Sequence, residues 1–420
     1  MPFRMAETEE VAVVKVIGVG GGGGNAINTM VDDKLQGVEF VAANTDKQAL
    51  NQSKADICLQ IGSSITKGLG AGADPEMGSQ AAHESIEDIK TTLEGADMVF
   101  VAAGLGGGTG TGAAPIVAKI SKELGALTVA VVTKPFHFEG KFRMRNAEAG
   151  WDELRKYADT IITVPNDRLL SLMQKNSKLS DMLAMADQVL LQAVKGITDL
   201  INVPGMINAD FADLRTVMRE VGPAIMGSGI AAGENRATEA ANRAIDNQLL
   251  EDVGIDGARG LLINISASEE SFSMAEFMEV SALIQAKVDD DAKVVIGALY
   301  NDNLGEEIHV TVIATGVGDV VQKNEPLKQV EPFRQQKENK VVEQQQVQQP
   351  SSQQPAPPNP KPAEVNQPSG STTEMPSSNF EGFDNLGRGG RKDEARSVKE
   401  TPSWNDEYLE TPTYLRKKAN

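Results

Sequence analysis

The sequence contains a single cysteine, Cys58, and its aromatic residues make up only 4 % of the chain. One cysteine excludes an intramolecular disulfide framework and a cysteine-ligated metal cluster. Chains without disulfides are typical of reducing compartments, so we expect a cytoplasmic protein. Residues 1–10 are acidic and contain no apolar stretch, so we do not expect a signal peptide there.

Positive charge is also scarce. Lysine and arginine number 40 against 59 aspartates and glutamates, which gives a formal net charge of −19. Proteins that bind nucleic acid or anionic membrane surfaces need basic patches, so this balance argues against both classes. No apolar run reaches the roughly 18 residues that a membrane span needs. We therefore expect no direct membrane insertion, and attachment to a membrane would depend on a partner.

Glycine, by contrast, is abundant and concentrated in short segments. Residues 104–112 read Gly-Leu-Gly-Gly-Gly-Thr-Gly-Thr-Gly, after an apolar run at 96–103 and before a helix-forming run at 113–120. Glycines let several backbone N–H groups converge, and a helix N-terminus favours an anion. The segment therefore predicts a phosphate site, with a structural turn as the alternative. It has no Gly-Lys-Ser/Thr, so backbone, a bound cation or a distant side chain must neutralise the phosphate.

Two further glycine-rich segments occur in similar surroundings. Residues 20–25 follow a β-branched run at 11–19 and lead into a helical run, and residues 67–75 precede a helical pattern at 77–93. Short apolar strands alternate with helices in this half of the chain; others are predicted at 38–46, 128–133 and 160–166. This alternation is typical of a doubly wound α/β domain with a parallel sheet, where ligands bind at the carboxyl ends of the strands. All three glycine-rich segments can meet at that edge.

The first of these segments also suggests another function. Gly20, Gly22 and the later Asp46 loosely match the dinucleotide-binding fingerprint, so a nicotinamide-dependent dehydrogenase is an alternative. The match is weak, because five consecutive glycines satisfy many patterns. The chain's three histidines are scattered and offer no evident acid or base for hydride transfer.

A long central helix is predicted at 180–201, where Leu183, Leu190 and Ile197 recur every seven residues. Asp187 lies at the edge of this apolar stripe, where a carboxylate is costly unless it has a partner. An acid exposed to water near the start of the helix is the alternative.

Residues 208–214 predict the start of another helix. Asn208 is a plausible N-cap, and Asp210 and Asp213 are three residues apart and share one face. Acids are common at helix N-termini for dipole reasons alone, so capping and a chemical role both stay open. Residues 234–316 then predict a second, smaller α/β domain, with helices at 234–249 and 274–287 and strands at 260–265, 294–300 and 308–314.

The last hundred residues differ in composition. Residues 331–391 are rich in Gln, Pro, Ser, Asn and Lys and cannot bury enough apolar surface to fold, so we expect a disordered linker. With about 85 residues after the change in composition near Gly318, this linker has an r.m.s. reach of roughly 50 Å. Residues 404–418 regain aromatic and aliphatic anchors around a proline, with a basic end. A peptide beyond a long linker is typically a docking motif, with a frayed tail as the alternative.

Two motifs together resemble the tubulin/FtsZ superfamily, and within it the FtsZ proteins of bacterial cell division. Residues 106–112 resemble the superfamily's phosphate loop, and residues 208–213 resemble the loop that its bacterial members insert into the neighbouring subunit. The resemblance covers about 12–317 and resumes in the C-terminal peptide. It implies a flexible N-terminus (1–11), a GTP-binding domain (12–178), a central helix (179–203), a C-terminal GTPase-activating domain (204–317), a disordered linker (318–403) and a docking peptide (404–420).

The resemblance also implies the residues that bind GTP or GDP. Those expected along the phosphates are Gly21, Gly22, Gly23, Gly24, Asn25, Ala71, Gly72, Ala73, Gly107, Gly108, Thr109 and Gly110. Thr133, Glu139 and Arg143 would contact the ribose region, and Asn166 and Asp187 would read the guanine edge. Family members often have an aromatic residue that stacks on the base; here the matching position is Leu183, so an apolar contact replaces stacking.

The resemblance implies a GTPase whose active site is completed by assembly. Asp210, Asp213 and Asn208 of the next subunit would orient and polarise the attacking water. Mg²⁺, with K⁺ as a further candidate, would be held mainly by the nucleotide phosphates rather than by side chains. Such head-to-tail contacts build filaments, here the division ring beneath the inner membrane at midcell. A filament for plasmid segregation or cell shape is the alternative within the superfamily.

The C-terminal peptide favours division, because it resembles a docking site for membrane adaptors and division regulators. The residues expected to contact these partners are Tyr408, Leu409, Pro412, Tyr414, Leu415, Arg416 and Lys417.

Overall fold

The computed structural model describes residues 12–172, 178–203, 205–220, 222–246, 255 and 257–317. Its strands are β1 (Val14–Val19), β2 (Val38–Asn44), β3 (Ile57–Gln60), β4 (Met98–Gly104), β5 (Leu127–Lys134), β6 (Thr160–Pro165), β7 (Pro223–Ala232), β8 (Gly260–Ala267), β9 (Lys293–Tyr300) and β10 (Glu307–Thr315). Its helices are α1 (Gly20–Asp32), α2 (Lys47–Asn51), α3 (Ser63–Thr66), α4 (Pro75–Glu84), α5 (Ile86–Leu93), α6 (Thr109–Glu123), α7 (Lys141–Leu154), α8 (Asn166–Leu172), α9 (Leu179–Asn202), α10 (Phe211–Met218), α11 (Arg236–Ile245) and α12 (Met274–Gln285).

The strands form one sheet in the order β3-β2-β1-β4-β5-β6-β7-β10-β8-β9. Every neighbouring pair from β3 to β7 is parallel, and Val14 of β1 lies between Val38 of β2 and Met98 of β4. β10 runs antiparallel to β7 and β8, and β8 is parallel to β9. The predicted α/β fold with a mainly parallel sheet is thus confirmed.

The apolar strands are buried because helices cover both faces of the sheet. Along β1, Val14 and Val16 point into one core, which they share with α1 and α9. Ile17 and Val19 point into the opposite core, which they share with α6. Successive side chains of a strand alternate between faces, so one β-branched strand supplies both layers. A third core lies among β7, β8, β10, α11 and α12, in the segment predicted as a smaller α/β domain.

Helix α9 packs one face against the sheet, as the periodicity predicts. Leu190 and Ile197 are buried in the first core. Leu183, however, is 50 % exposed, so its predicted place in the apolar stripe is wrong. The buried face of α9 begins only at Ala186, so the first turns of the helix have no core to join.

Several predicted boundaries shift. Helices α1 and α6 begin at Gly20 and Thr109, inside the glycine-rich segments rather than after them. The helical pattern at 77–93 is two helices, α4 and α5. Strands β3 and β7 were not predicted. The predicted N-terminal segment 1–11, the linker 318–403 and the docking peptide 404–420 lie outside the described residues.

Candidate functional site

The glycine-rich segments meet between β1 and β4, where the order in which strands are added to the sheet reverses. β1 and β4 are neighbours, but α1 packs on one face of the sheet and α6 on the other. In parallel α/β sheets this arrangement opens a crevice at the carboxyl ends of the two strands, where ligands bind. The segments that follow β1 and β4 therefore lie at the position where folds of this kind bind ligands.

Helices α1 and α6 both begin at this crevice with free N-terminal amides. The residues preceding them, Val19 and Gly108, make no side-chain capping hydrogen bond, and neither first turn contains an acid. Uncapped N–H groups and two helix dipoles favour an anion at the same point. The neighbouring helix α4 differs, because Asp74 caps it by accepting from the Glu76 N–H at 3.0 Å.

The glycines divide into those that pack segments together and those that leave space. A Cβ on Gly20 would lie 2.8 Å from the nitrogen of Gly110, and one on Gly108 would lie 2.8 Å from Ala71 Cβ. These two contacts hold the three glycine-rich segments together. By contrast, a Cβ on any of Gly21, Gly24, Gly72 or Gly107 would meet no atom within 4 Å. At these four positions the backbone is open to a ligand.

The third segment adopts an unusual backbone. Gly72 and Ala73 both have positive φ, at 59° and 62°. Such a conformation is uncommon for alanine and is often found at ligand sites. The amide of Asn146 donates to the Ala73 carbonyl at 3.4 Å and helps to hold this turn.

Sequence reasoning missed Thr45, which follows β2 at the same edge of the sheet. Its hydroxyl lies 2.7 Å from that of Thr109, and its exposure is 0 %. The signal was its position at the carboxyl end of the strand predicted at 38–46. The next residue, Asp46, caps α2 by accepting from the Gln48 N–H at 2.8 Å. The acid of the loose dinucleotide fingerprint thus has a structural role.

Asn166 and Asp187, the two residues predicted to read guanine, each have a polar group without a hydrogen-bond partner among the described residues. Asn166, at the start of α8, is buried, and its Oδ1 accepts no hydrogen bond. Asp187 is half-buried on α9, and no described residue pairs with it. Burial raises the pKa of the Asp187 carboxyl to about 6. An unpartnered amide oxygen and an unpartnered carboxylate are both hydrogen-bond acceptors, and a ligand with hydrogen-bond donors would satisfy them.

The residues predicted for the ribose region surround the segment after β4. Thr133 is buried at the end of β5, and its carbonyl accepts from the Leu105 N–H at 2.9 Å. Glu139 accepts from Arg143 at 2.7 Å and from the Phe136 N–H at 2.9 Å. Arg143 also approaches through its backbone, because a Cβ on Gly106 would lie 2.9 Å from its carbonyl oxygen.

Two family descriptions cover most of the described chain. Residues 13–174 match "Tubulin/FtsZ family, GTPase domain", and residues 222–318 match "FtsZ family, C-terminal domain". The chain belongs to the tubulin/FtsZ family. Membership implies that the chain binds a guanine nucleotide.

Relatives and solved structures agree with this assignment. The cell division protein FtsZ of Coxiella burnetii is 56 % identical over 317 residues, covering 75 % of this chain and 82 % of its own. That of Pseudomonas putida is 47 % identical and covers 97 % of both chains. An FtsZ dimer structure from M. jannaschii is 44 % identical, with a TM-score of 0.71 over 74 % of this chain and 89 % of that one. CetZ2 from Haloferax volcanii, in a GTPγS-bound protofilament, is 21 % identical with a TM-score of 0.62 over 73 % of this chain and 93 % of its own, and it shares the fold.

Asn208, Asp210 and Asp213 do not join the crevice of their own chain. About 22 Å of helix separates Asp187 from the end of α9, and these residues follow that end. Ile207 pairs with Ala298 of β9, which is six strands from β4, or roughly 29 Å across the sheet. All three side chains are exposed.

The expected N-cap role of Asn208 is wrong. Asp210 is the N-cap of α10 and accepts from the Ala212 N–H at 3.1 Å. Asn208 instead accepts from the Gly205 N–H at 2.7 Å, in the loop where Ile207 pairs with Ala298 of β9 before the helix starts. This hydrogen bond to the Asn208 side chain closes the loop between α9 and α10.

Within the described ranges, no three His, Cys, Asp or Glu side chains converge to hold a metal ion. None of the helices in those ranges is long and apolar enough to cross a membrane.

Proposed function

We propose that this chain is a GTP-hydrolysing cytoskeletal protein that polymerises head to tail into filaments of the bacterial division ring. Its family membership supports GTP hydrolysis, and its similarity to proteins named "Cell division protein FtsZ" supports the role in division. The observation that carries the proposal is the crevice itself. Two uncapped helix N-termini favour an anion there, and the Asp187 carboxyl and Asn166 Oδ1 have no hydrogen-bond partner among the described residues.

The nucleotide's phosphates would lie along the open glycines and the N-termini of α1 and α6. Gly21, Gly22, Gly23, Gly24 and Asn25 supply one set of backbone donors, and Gly107, Gly108, Thr109 and Gly110 supply the other. Ala71, Gly72 and Ala73 would border the γ-phosphate. Thr133, Glu139 and Arg143 would contact the ribose region.

Guanine would be recognised by Asp187 and Asn166. An ionised carboxylate accepts from the ring N–H and from the exocyclic amine of guanine, and adenine has no such pair of donors. These hydrogen bonds favour the charged form of Asp187, so nucleotide binding would lower a pKa that burial raises to about 6 in the free chain. Leu183, half exposed on the same helix, would pack against the base.

Mg²⁺ would neutralise phosphate charge, with K⁺ as a further candidate. The crevice fits this need, because it presents backbone N–H groups and no lysine of the Gly-Lys-Ser/Thr kind. We expect the phosphates, rather than a cage of side chains, to hold the ion.

Hydrolysis would require a second copy of the chain. Phosphoryl transfer needs an oriented water, and the phosphate crevice has no acid in the first turn of α1 or α6 to position one. Asp210 and Asp213 are exposed at the far end of α9, so another subunit could bring them to this crevice. Asn208, whose side chain closes the loop before Asp210, would help to hold the water. A contact of this heterologous kind extends into filaments.

The C-terminal peptide would attach these filaments to other division proteins. Tyr408, Leu409, Pro412, Tyr414, Leu415, Arg416 and Lys417 provide apolar and basic contacts for membrane adaptors and regulators, beyond a linker that gives them reach. We therefore expect a cytoplasmic protein that assembles at midcell beneath the inner membrane.

Light scattering with parallel phosphate release tests the proposal. Purified protein should assemble with GTP but not with ATP, and its turnover per subunit should rise with protein concentration. Turnover that is independent of concentration would contradict the shared active site. Hydride transfer from a nicotinamide cofactor without GTP binding would favour the dehydrogenase alternative.

A further inference from the structure

Thr45 connects two of the three segments that form the crevice. Its carbonyl oxygen accepts from Thr66 Oγ1 at 3.2 Å and from the Gly70 N–H at 3.3 Å. Its hydroxyl lies 2.7 Å from the hydroxyl of Thr109, the first residue of α6. One buried residue thus ties the start of α6 to the chain that leads into Ala71.

The Thr45 and Thr109 hydroxyls have few other hydrogen-bond partners. No other described residue hydrogen-bonds the side chain of Thr45 or of Thr109. A hydroxyl has one proton to donate and can accept through its lone pairs. If Thr109 gives its proton to a phosphate oxygen, it can only accept from Thr45. The donor direction of the pair is therefore set by the anion.

We infer that Thr45 is a positioning residue for the nucleotide phosphates. It donates to Thr109 Oγ1 and so directs the single proton of Thr109 into the crevice. This inference rests on the proposed function, because it assumes that Thr109 contacts phosphate. Without the Thr45 hydroxyl, the Thr109 hydroxyl loses the hydrogen-bond partner that fixes the direction of its O–H.

Helix α6 carries a matched pair away from the crevice. Ser121, near the other end of the helix, has its Oγ 2.7 Å from Thr128 Oγ1, and both residues are fully buried. Thr128→Val removes a buried hydroxyl from a similar pair on the same helix. It controls for the loss of stability that any such change causes.

The experiment measures the Kd of GDP and of a non-hydrolysable GTP analogue, at protein concentrations too low for assembly. Thr45→Val should weaken both by about 5-fold, the effect of one neutral hydrogen bond, while Thr45→Ser stays within about 2-fold of the wild type. Thr128→Val should lower the Tm comparably and leave both affinities unchanged. If Thr45→Val does not fold, Thr45→Ala replaces it, since it also lacks the hydroxyl.

A double-mutant cycle separates positioning from general damage. In a Thr109→Val background, Thr45→Val should weaken binding no further, because its effect passes through Thr109. The inference is overturned if Thr45→Val binds like the wild type, if Thr128→Val weakens binding equally, if Thr45→Ser does not restore it, or if the cycle is additive. A wild-type protein that binds no guanine nucleotide would instead refute the proposed function.

Discussion

Asp187 shows how a residue proposed to bind the ligand can destabilise the fold that carries it. Its carboxyl is half-buried without a partner among the described residues, and burial raises its pKa to about 6. The folded chain therefore binds a proton more tightly than the unfolded chain, whose aspartates titrate near 3.8. Stability from this group is therefore absent well above pH 6, grows as the pH falls from about 6 towards 3.8, and is complete only below 3.8.

Asp187→Asn should therefore stabilise the nucleotide-free protein at pH 8 and weaken GTP binding. The substitution removes the buried charge, and it also replaces a charged acceptor, which costs roughly 10- to 100-fold in affinity. Thermal unfolding should show a higher Tm for the variant at pH 8, a smaller gain at pH 5, and no gain below the unfolded pKa of 3.8. Asp181→Asn, at an exposed acid in the first turn of the same helix, should leave the affinity unchanged and lower the Tm slightly, because it removes a charge that the helix dipole favours. An Asp187→Asn variant that loses Tm at pH 8 would contradict this account.

The sequence could indicate which residues are candidates for the site more readily than it could predict the contacts that they make. The pattern of α9 indicated Asp187 as a candidate, but only the fold shows that it has no partner. Thr45 gave no motif at all, because its role depends on a contact 64 residues away.

At the scale of elements, packing overrides local preference. Glycine is a poor helix former, so the sequence predicts loops at 20–24 and 109–112 where the structure has helix. Helix α1 can begin there because glycines let it approach β4: a Cβ on Gly23 would lie 2.4 Å from the Ala102 carbonyl oxygen. Strand β7 escaped prediction for a related reason. Gly229 weakens its pattern, but a Cβ there would lie 2.0 Å from the Ala240 carbonyl oxygen of α11.

Two neighbouring glycines should separate stability from binding. Gly110→Ala would place a Cβ 2.5 Å from the Gly104 carbonyl oxygen, so we expect a loss of about 1–3 kcal/mol in the free energy of unfolding. Gly107→Ala would meet no atom, so it should fold like the wild type yet weaken GTP binding, because the added methyl faces the proposed phosphate position. Urea denaturation and nucleotide titration measure the two effects. Normal GTP affinity in Gly107→Ala would place the phosphates elsewhere.

At the scale of the whole molecule, the crevice and the acids of α10 lie at different ends of α9. The sequence could predict both sets and the parallel sheet that carries the first. Their separation follows from the 24 residues of α9 and from the pairing of Ile207 with Ala298 at the far edge of the sheet. One copy therefore carries the proposed nucleotide site and, elsewhere, the acids that we propose complete a neighbour's site.

Complementation between two inactive variants tests the shared site most directly. Asp213→Ala keeps the nucleotide crevice, and Asp187→Ala keeps the α10 acids, so each alone should release phosphate slowly. In an equal mixture, about a quarter of head-to-tail contacts would join an intact crevice to an intact Asp213, and phosphate release should rise well above the sum of the two. A mixture no faster than that sum, or an Asp213→Ala protein with wild-type turnover, would contradict a site built from two subunits.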